Sequence, residues 1–408
     1  MKKHLQLFGL ILCAICLLGR PAVAAEETGI QLPPGLSGIK IDFQGYVDYS
    51  AGHFQNIAGI KPGNLATAAR FTDNIKGEDW KGRNFFELTR GYINITKDIL
   101  PWLSARVTPD VTRVASTNSA GDPEAEAGDI DLRIKYYYLQ IQVPDFGPFT
   151  FNAVKIGQQQ FPYLDFLEQI NPYRMQGTMF QERFNEFDSA DMGLGIQGLF
   201  GGKVSEEYQA EVNRQYPGRH GSYQVALVNG GGYHASEKNN NKPLEYRLTA
   251  RPLPDVLPGL QVTWFGIWGK GNTAAAPDWR VNTGLLSYQH KLGTVTFEFA
   301  RNKGQQDGAD EFWRTGYAAF AMFRPPMLPR LRLSGQYGVW RYNTGIRNND
   351  LTLWRGGLDW SLTKPKDVGG TFIYAGYEQL CYGSHYDTVA DTRVPDEWRG
   401  QIVAQINW

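Results

Sequence analysis

The last eleven residues of the chain alternate between apolar and polar positions. One face carries Trp398, Gly400, Ile402, Ala404, Ile406 and Trp408. The other face carries Arg399, Gln401, Val403, Gln405 and Asn407. A period of two predicts a β-strand with one apolar and one polar side. The aromatic residue at its end, Trp408, is typical of the closing strand of a membrane β-barrel, where aromatic rings lie at the membrane interface.

Similar segments recur along the chain, and the pattern predicts about sixteen strands. They begin near Ile39, Arg83, Leu103, Ile130, Phe149, Gly193, Tyr223, Leu244, Leu260, Val281, Val295, Gly316, Leu331, Leu351, Thr371 and Trp398. Segments of roughly ten residues with apolar residues outward and polar residues inward are typical of transmembrane barrels. We therefore predict an all-β fold, a transmembrane antiparallel β-barrel, that occupies residues 25–408 as a single outer-membrane domain.

The connections between these strands alternate between short and long. The short ones are rich in Pro and Gly and lie at 98–101, 144–148, 253–259, 290–293, 325–330 and 363–370. The long ones are polar and lie at 52–81, 116–128, 164–191, 230–241, 270–278, 302–311, 343–350 and 382–397. This alternation is expected when successive connections face opposite sides of a membrane. The exception is residues 202–221, where a short turn is expected and SEEYQAEVNRQY indicates a short helix.

The first 24 residues resemble an export signal. Lys2 and Lys3 precede a mostly apolar run from Leu5 to Leu18, and Ala22-Val23-Ala24 offers a cleavage site. The run is too short for a membrane-spanning helix. Its removal would leave 38 basic and 41 acidic residues, a net charge of about −3, which argues against nucleic acid as a partner. Cys381 would be the remaining cysteine, so we expect no intrachain disulfide.

The sequence offers little catalytic chemistry. Its six histidines show no metal-ligand spacing, and H-E-x-x-H, G-x-S-x-G and a phosphate-binding loop are absent from the sequence. We therefore expect no enzymatic activity, no metal and no cofactor. Tryptophans lie near both ends of the predicted strands, which predicts two aromatic girdles. Trp102, Trp360 and Trp408 would form one, and Trp268, Trp279, Trp313 and Trp398 the other.

Charged residues on the inward faces of the strands would line the pore. The alternation places there Arg90, Arg106, Asp110, Lys155, Glu245, Arg247, Arg251, Glu298, Arg332, Arg355, Asp359 and Arg399. These are eight basic and four acidic residues in a slightly acidic chain, which favours a mild anion preference. Opposite charges that pair across the wall would cancel this preference. In residues 130–143 the outward pattern changes phase, so we expect a bulge near Lys135 or an outer part of the strand that stands above the bilayer.

Residues 164–191 form the natural constriction. This outer connection, the third in order, contains Met and Phe residues that would not suit a free exposed loop, so we expect it to fold into the barrel. Its charged residues would then line the narrowest zone, where facing acids and bases create a transverse field. They are Glu168, Arg174, Glu182, Arg183, Glu186 and Asp188. A loop that caps the pore from outside is the alternative.

Several stretches together resemble the phosphate-selective porin O and P family. They are FELTRGYINITKDILPWLSARVTPDV at 86–111, KYYYLQIQVPD at 135–145, VKIGQQQFPY at 154–163 and TMFQERFNEFDSADMGLGIQG at 178–198. The resemblance covers about residues 86–230 and implies sixteen strands, a homotrimer, an inward third loop and passive anion uptake. Gln160 stands where that family commonly has Lys. The resemblance therefore supports the porin fold more strongly than it supports selectivity for phosphate.

We therefore expect a general or mildly anion-preferring porin in the outer membrane of a Gram-negative bacterium. It would pass small hydrophilic or anionic solutes, with phosphate or other oxyanions among them, and its partners would be outer-membrane lipid and two further copies of the chain. Three alternatives stay open. The protein would otherwise be a channel specific for an organic acid, the barrel sheath of an electron-conducting complex, or a soluble secreted β-protein.

Overall fold

The structure is a computed structural model that describes residues 38–54, 80–113, 129–174, 179–233, 235–363, 370–390 and 393–407. These residues form sixteen antiparallel strands that close into one barrel. The strands are β1 (Ile39–Phe54), β2 (Trp80–Leu100), β3 (Leu103–Arg113), β4 (Ile130–Gln142), β5 (Phe149–Gln160), β6 (Ala190–Phe200), β7 (Gly221–Val228), β8 (Leu244–Ala250), β9 (Leu260–Lys270), β10 (Asp278–His290), β11 (Gly293–Lys303), β12 (Trp313–Phe323), β13 (Leu331–Arg341), β14 (Asp350–Ser361), β15 (Phe372–Tyr382) and β16 (Glu397–Asn407).

Four short helices lie in the connections of the described residues. They are α1 (Pro162–Glu168), α2 (Phe180–Arg183), α3 (Glu206–Glu211) and α4 (Ser384–Ala390). Within the described part of the chain, no helix is both long and apolar enough to cross a membrane. The helix α3 falls within SEEYQAEVNRQY, so the helix predicted there is confirmed.

The barrel closes between its first and last strands. β1 pairs with β16 in a register that runs from Gln44 opposite Asn407 to His53 opposite Trp398. Every other strand pairs with its neighbours in the sequence, so the predicted all-β antiparallel barrel is confirmed. The predicted signal segment at 1–24 and the terminal Trp408 lie outside the described residues.

The strand positions agree closely with the alternation in the sequence. Each strand begins within three residues of its predicted start, and β10 shows one of the largest differences, with Asp278 in place of the predicted Val281. The expected change of phase in β4 is a bulge. Thr108 of β3 lies opposite Tyr136 and Pro109 lies opposite Ile134, which leaves Lys135 as the extra residue. Pro109 has no N–H to donate to the ladder, so an interruption there is expected.

The outer surface of the barrel is apolar. Along β11, Val295, Phe297 and Phe299 are each about half exposed, whereas Thr296 and Glu298 are buried on the inner face. An exposed apolar belt around a closed barrel is the surface that contacts lipid. Trp102, Trp268, Trp313 and Trp398 are also exposed outward, near the strand ends.

Trp279 differs from the prediction that placed it in the girdle. It is buried on the inner face of β10, because Arg280 occupies the outward position, and its Nε1–H donates to the carbonyl oxygen of Glu186 at 3.1 Å.

The end of the barrel where β1 begins and β16 ends is called the terminal end, and the opposite end is called the loop end. Trp279 lies at the start of β10, on the loop-end side.

The seam between β1 and β16 generates a prediction about assembly. Deleting residues 398–408 would leave β1 and β15 with unpaired edges, and each unsatisfied backbone group in lipid costs several kcal/mol. We expect loss of membrane-inserted protein. The measurement is the amount of heat-modifiable barrel in isolated outer membranes on unboiled gels. Normal amounts in the deletion variant would contradict the prediction, and a variant that lacks only the mostly exposed residues 236–240 of a connection serves as the control.

Candidate functional site

The connection between β5 and β6, residues 161–189, lies inside the barrel and is called the β5–β6 segment. Its aromatic and aliphatic residues pack against the inner faces of β9 and β10. The wall residues of this contact are Phe265, Ile267, Trp279, Val281 and Leu285. The packing agrees with the prediction that residues 164–191 fold inward, and the described part of the segment includes all but residues 175–178.

The same segment also contacts β11 to β15, which follow β10 around the barrel, and its Tyr173 belongs to a cluster with Tyr46 of β1 and Tyr92 of β2 on the opposite side. Phe180 and Phe184 belong to a cluster with residues of β11 to β15, and the rings of Phe184 and Trp340 are stacked with centroids 5.4 Å apart. Tyr173 packs with Tyr374, and its hydroxyl donates to Asp359 Oδ2 at 2.6 Å. The segment therefore spans the lumen and contacts the walls on both sides.

Two of the predicted constriction residues anchor the segment to the wall. The guanidinium of Arg183 lies 3.3 Å from Glu378 of β15, and Glu186 lies 3.6 Å from Arg314 of β12. The side chains of these four residues are at most 1 % exposed. Arg183 and Glu186 therefore lie in the contact between segment and wall, which differs from the prediction that they line the passage. Burial, only partly offset by Arg314, raises the pKa of Glu186 to about 7.

Three other predicted residues form a group on the opposite side of the segment. Arg174 contacts Glu168 at 3.1 Å and forms a bidentate pair with Glu182. Burial alone would raise the pKa of Glu182, but Arg174, together with Arg90 and Lys135, outweighs burial and lowers it. This group carries one negative charge in total. Glu168 and Arg174 also face open volume at the terminal end.

Asp188 lies near the loop end of the segment. Burial raises its pKa to about 7, and the neighbouring carboxylates of Asp307, Glu182 and Asp191 add to this shift. The backbone N–H of Asp188 donates to Gln306 Oε1 at 2.6 Å. Its carboxyl therefore titrates near neutral pH, at the point where the segment returns to the wall.

The predicted lumen charges of β11 to β16 are mostly paired. Arg332 contacts Asp359 at 2.6 Å, Glu298 accepts a hydrogen bond from Tyr163, and Glu378 contacts both Arg355 and Arg399. On β8, Glu245 is buried on the inner face. Three arginines, Arg183, Arg355 and Arg399, share the single carboxylate of Glu378, so charges on this side are paired but basic residues remain in excess.

The wall formed by β2 to β5 has a different character and is called the cationic wall. It contains Arg90, Arg106, Lys135 and Lys155, and within the described residues none of these four takes part in an ion pair. Arg90 and Arg106 are partly exposed, whereas Lys135 and Lys155 are buried. Each is held by neutral groups. Lys135 Nζ lies 4.6 Å from the ring centroid of Tyr92, and Arg106 lies 4.9 Å from that of Tyr136. Such cation–π and hydroxyl contacts position a cation without neutralising it.

The remaining contacts of the cationic wall are also neutral. Lys155 Nζ lies 5.0 Å from the Tyr138 ring and donates to Gln160 Oε1 at 3.0 Å. Arg90 donates to Tyr92 Oη at 3.2 Å. Beside them, Arg133 is paired with Asp110 at 3.0 Å, so this basic residue is neutralised. Asp110 was predicted to line the pore, and it forms its ion pair with a basic residue of the neighbouring strand β4.

Several lumen residues are missing from the set predicted by the alternation. Arg133 and Lys135 are absent from it because the phase changes there, and the bulge turns both Lys135 and Tyr136 inward. Arg314 and Glu378 also face inward, and both are fully buried against the β5–β6 segment. Their alternation with Tyr317 and Tyr377, which are exposed on the outer face, is the signal that could have identified them.

The connection between β6 and β7, residues 201–220, also enters the barrel and is called the β6–β7 segment. It comes from the terminal end, opposite to the β5–β6 segment. After α3, which Ser205 caps by accepting from Tyr208 N–H at 3.2 Å, the side chain of Asn213 donates to Gln169 O at 2.9 Å and to Gln289 Oε1 at 2.8 Å. The two segments therefore touch each other within the lumen.

Two arginines that were predicted to line the pore, Arg247 and Arg251, hold the β6–β7 segment. The guanidinium of Arg247 lies between the rings of Phe166 and Tyr216, 4.8 Å and 4.6 Å from their centroids. Arg251 donates to the Gly218 carbonyl at 3.0 Å. Both arginines are buried, so they position the two segments and do not face open volume.

The two segments and the wall line an open cavity of about 770 Å³ at the terminal end. Its charged lining residues are Glu168, Arg174, Glu211, Arg214, Lys291 and Arg324. Tyr46 and Tyr92 of the wall and the prolines at 172, 325, 326 and 329 complete much of the lining. Glu211 is paired with Lys291 at 3.5 Å and Glu168 with Arg174, so the basic residues are in excess.

Comparison with known proteins shows which known barrels have a similar fold. No protein-family model matches the chain, and no curated protein matches it either. Solved structures do match. The barrel is similar to OmpT of Vibrio cholerae, with a TM-score of 0.51 and 10 % identity over 91 % of this chain and 98 % of that one.

Two further solved structures are similar to the same extent. An anion-selective porin from Comamonas acidovorans has a TM-score of 0.50 and 10 % identity over 90 % of this chain and 99 % of its own. OmpF of Salmonella typhi in complex with daunomycin has a TM-score of 0.53 and 9 % identity over 90 % and 97 %. The chain therefore has the fold of outer-membrane barrels. These similarities do not single out the porin O and P family.

Proposed function

We propose that the protein is a porin of the Gram-negative outer membrane, a passive water-filled channel for small hydrophilic solutes with a mild preference for anions. The observation that carries the anion preference is the cationic wall, whose four basic residues are held by tyrosines and amides. Arg90 and Arg106 are partly exposed, and the buried Lys135 and Lys155 add their charge from neighbouring strands. Cations in a confined, low-dielectric passage raise the local concentration of anions. Phosphate and other oxyanions belong to the solutes that such a wall would favour.

The rest of the proposal follows from the fold. The apolar outer belt supports insertion by strands and argues against a soluble secreted protein. Residues 1–24 would direct export, the terminal end would face the periplasm, and the barrel would assemble as a homotrimer. The proposal includes no catalysed reaction and no cofactor. Two segments that fold into the lumen and touch each other argue against an electron-conducting sheath, which would need an open barrel for a haem protein.

A channel specific for organic acids is the second candidate. The cavity at the terminal end combines an excess of basic residues with proline surfaces, which suits an anion with an apolar body. The two candidate functions differ in whether solute uptake saturates as the solute concentration rises. A general porin passes solutes in proportion to their concentration, whereas a specific channel shows solute uptake and current interruptions that saturate. Swelling of proteoliposomes in a series of organic acids and neutral sugars separates them.

The cationic wall generates a test of selectivity. Replacing Arg90, Arg106 and Lys155 with Glu reverses three inward charges on neighbouring strands, whose fields add in the passage. We expect the anion-to-cation permeability ratio to fall by roughly threefold or more while the barrel still assembles. The measurement is the reversal potential in planar bilayers under a salt gradient. Replacing Lys203, Arg219 and Lys242 with Glu changes the net charge equally at exposed positions and serves as the control. A reversal potential that matches wild type in the first variant would remove the anion assignment.

The β6–β7 segment generates a test of conductance. Lys203 and Gly218 pair at its base, so a Gly-Gly linker can replace residues 204–217 without changing the strands. We expect the single-channel conductance to rise by roughly twofold, since one of two inward segments in series is removed. An unchanged conductance would show that this segment does not restrict the passage. Deletion of the mostly exposed residues 236–240 at the loop end is the matched control.

The raised pKa of Asp188 generates a test of pH dependence. Its carboxyl has a pKa of about 7, so it is charged at pH 8 and mostly protonated at pH 6. We expect anion preference to increase as the pH falls through this range, and Asp188→Asn to remove that part of the change. Glu186→Gln is the matched control, because Glu186 titrates in the same range but is buried against the wall. Reversal potentials at pH 6 and 8 that change equally in both variants would contradict the assignment.

A further inference from the structure

A row of charged and aromatic residues crosses the outer surface of the barrel at the loop end. Its members lie directly opposite one another in the sheet: Trp268 of β9 pairs with Arg280 of β10, Arg280 with Lys303 of β11, and Lys303 with Trp313 of β12. These side chains occupy outward positions, which alternate with the buried residues of the inner face. With Lys270, Asp278, Arg301 and Glu311, they form what we call the rim patch.

The rim patch has more cations than carboxylates. Asp278 contacts three of them, Lys270 at 2.7 Å, Lys303 at 2.9 Å and Arg280 at 3.3 Å. Glu311 lies 2.8 Å from Lys303, one of the same three cations. The fourth cation, Arg301, lies 4.7 Å from the ring centroid of Trp313. Four basic residues therefore share two carboxylates, and the side chains of Arg280 and Lys270 remain 47 % and 43 % exposed.

The position of the patch along the strands places it at a membrane interface. Four residues further along β10 from Arg280, towards the terminal end, lies Gly284, with Trp264 opposite on one side and Phe299 on the other. Both of these aromatic residues are half exposed, and they belong to the apolar belt. Charged residues with flanking tryptophans directly above an apolar belt are typical of the depth of lipid headgroups.

Gly284 creates a slot in the apolar belt. A side chain placed at Gly284 would have no atom within 4 Å of its Cβ, whereas Trp264 and Phe299 project from the neighbouring strands. The slot is therefore one residue wide and open to the outside. Asn282, which is also exposed on the outer face, lies between Arg280 and Gly284 and extends the polar row by one position. The slot begins below Asn282 and ends at Leu286, which is half exposed. Its width and apolar walls suit an acyl chain.

We propose that the rim patch and this slot together form a binding site for a phosphorylated glycolipid of the outer leaflet. The phosphate group accepts charge-assisted hydrogen bonds from Arg280, Arg301 and the lysines, since guanidinium and ammonium groups bind phosphate oxygens strongly. One acyl chain lies in the slot at Gly284. The continuity of charge and slot favours a lipid over free phosphate, which would use the charges alone. The inference rests on the membrane location in the proposed function and not on ion conduction.

The test compares lipid binding in three variants. Wild-type protein in detergent is incubated with lipid A, and bound lipid is counted by native mass spectrometry. We expect Arg280→Glu with Arg301→Glu to weaken binding by at least about tenfold, because two phosphate contacts become repulsive. Gly284→Leu keeps every charge but fills the slot, and we expect it to weaken binding as well. Lys40→Glu with Arg219→Glu, at the terminal end, carries the same charge change at exposed positions and should bind as wild type does.

The outcomes distinguish a lipid site from a site for free anions and from a contact between copies of the chain. Dephosphorylated lipid A should bind the wild type as weakly as lipid A binds the double variant, and inorganic phosphate should not displace lipid A at equal concentration. Equal binding by wild type and the double variant would overturn the proposal. Full displacement by inorganic phosphate, or loss of contacts between copies of the chain without any change in lipid binding, would also overturn it. Heat-modifiability on gels confirms that each variant is folded, and planar-bilayer conductance reports the proposed channel function separately.

Discussion

Backbone hydrogen bonding across a closed sheet is the interaction on which every other feature of this barrel depends. The seam between β1 and β16 pairs ten residues of each strand in one continuous register and removes both edges of the sheet. In lipid no water is present to satisfy an open edge, so closure is a condition for insertion. Closure also assigns each strand residue to the lipid or to the lumen, so the register of the sheet decides which charges face the passage.

The inner face is divided into two parts that serve different purposes. On β9 and β10 it is apolar and receives the aromatic residues of the β5–β6 segment, while ion pairs on β12 to β15 hold the same segment from the other side. Each large apolar side chain buried in this way contributes about 1.5–3 kcal/mol. The cationic wall on β2 to β5 lies apart from these ion pairs. The distribution of charge over the two parts therefore matters more than the total charge of the lumen.

Much of the fold could be predicted from the sequence because a period of two is a direct consequence of the pleated strand. The strand starts and the change of phase near Lys135 follow from that period. The site was harder to predict. Arg183 and Glu186 belong to a connection without a period, so only the structure shows that their partners are Glu378 and Arg314. The β6–β7 segment is recognisable by its length, but its position inside the barrel depends on contacts with residues far away in the sequence.

The anchoring of the β5–β6 segment has a consequence for the order of folding. Arg183 and its partner Glu378 are 195 residues apart, and Tyr173 and Asp359 are 186 apart. The segment can complete its contacts only after the strands near the end of the chain have joined the sheet, so its docking is a late step. Once docked, it acts as a crossbar between opposite walls and keeps the cross-section from flattening under lateral pressure from the bilayer. The segment that narrows the passage is thus also the mechanical brace of the finished barrel.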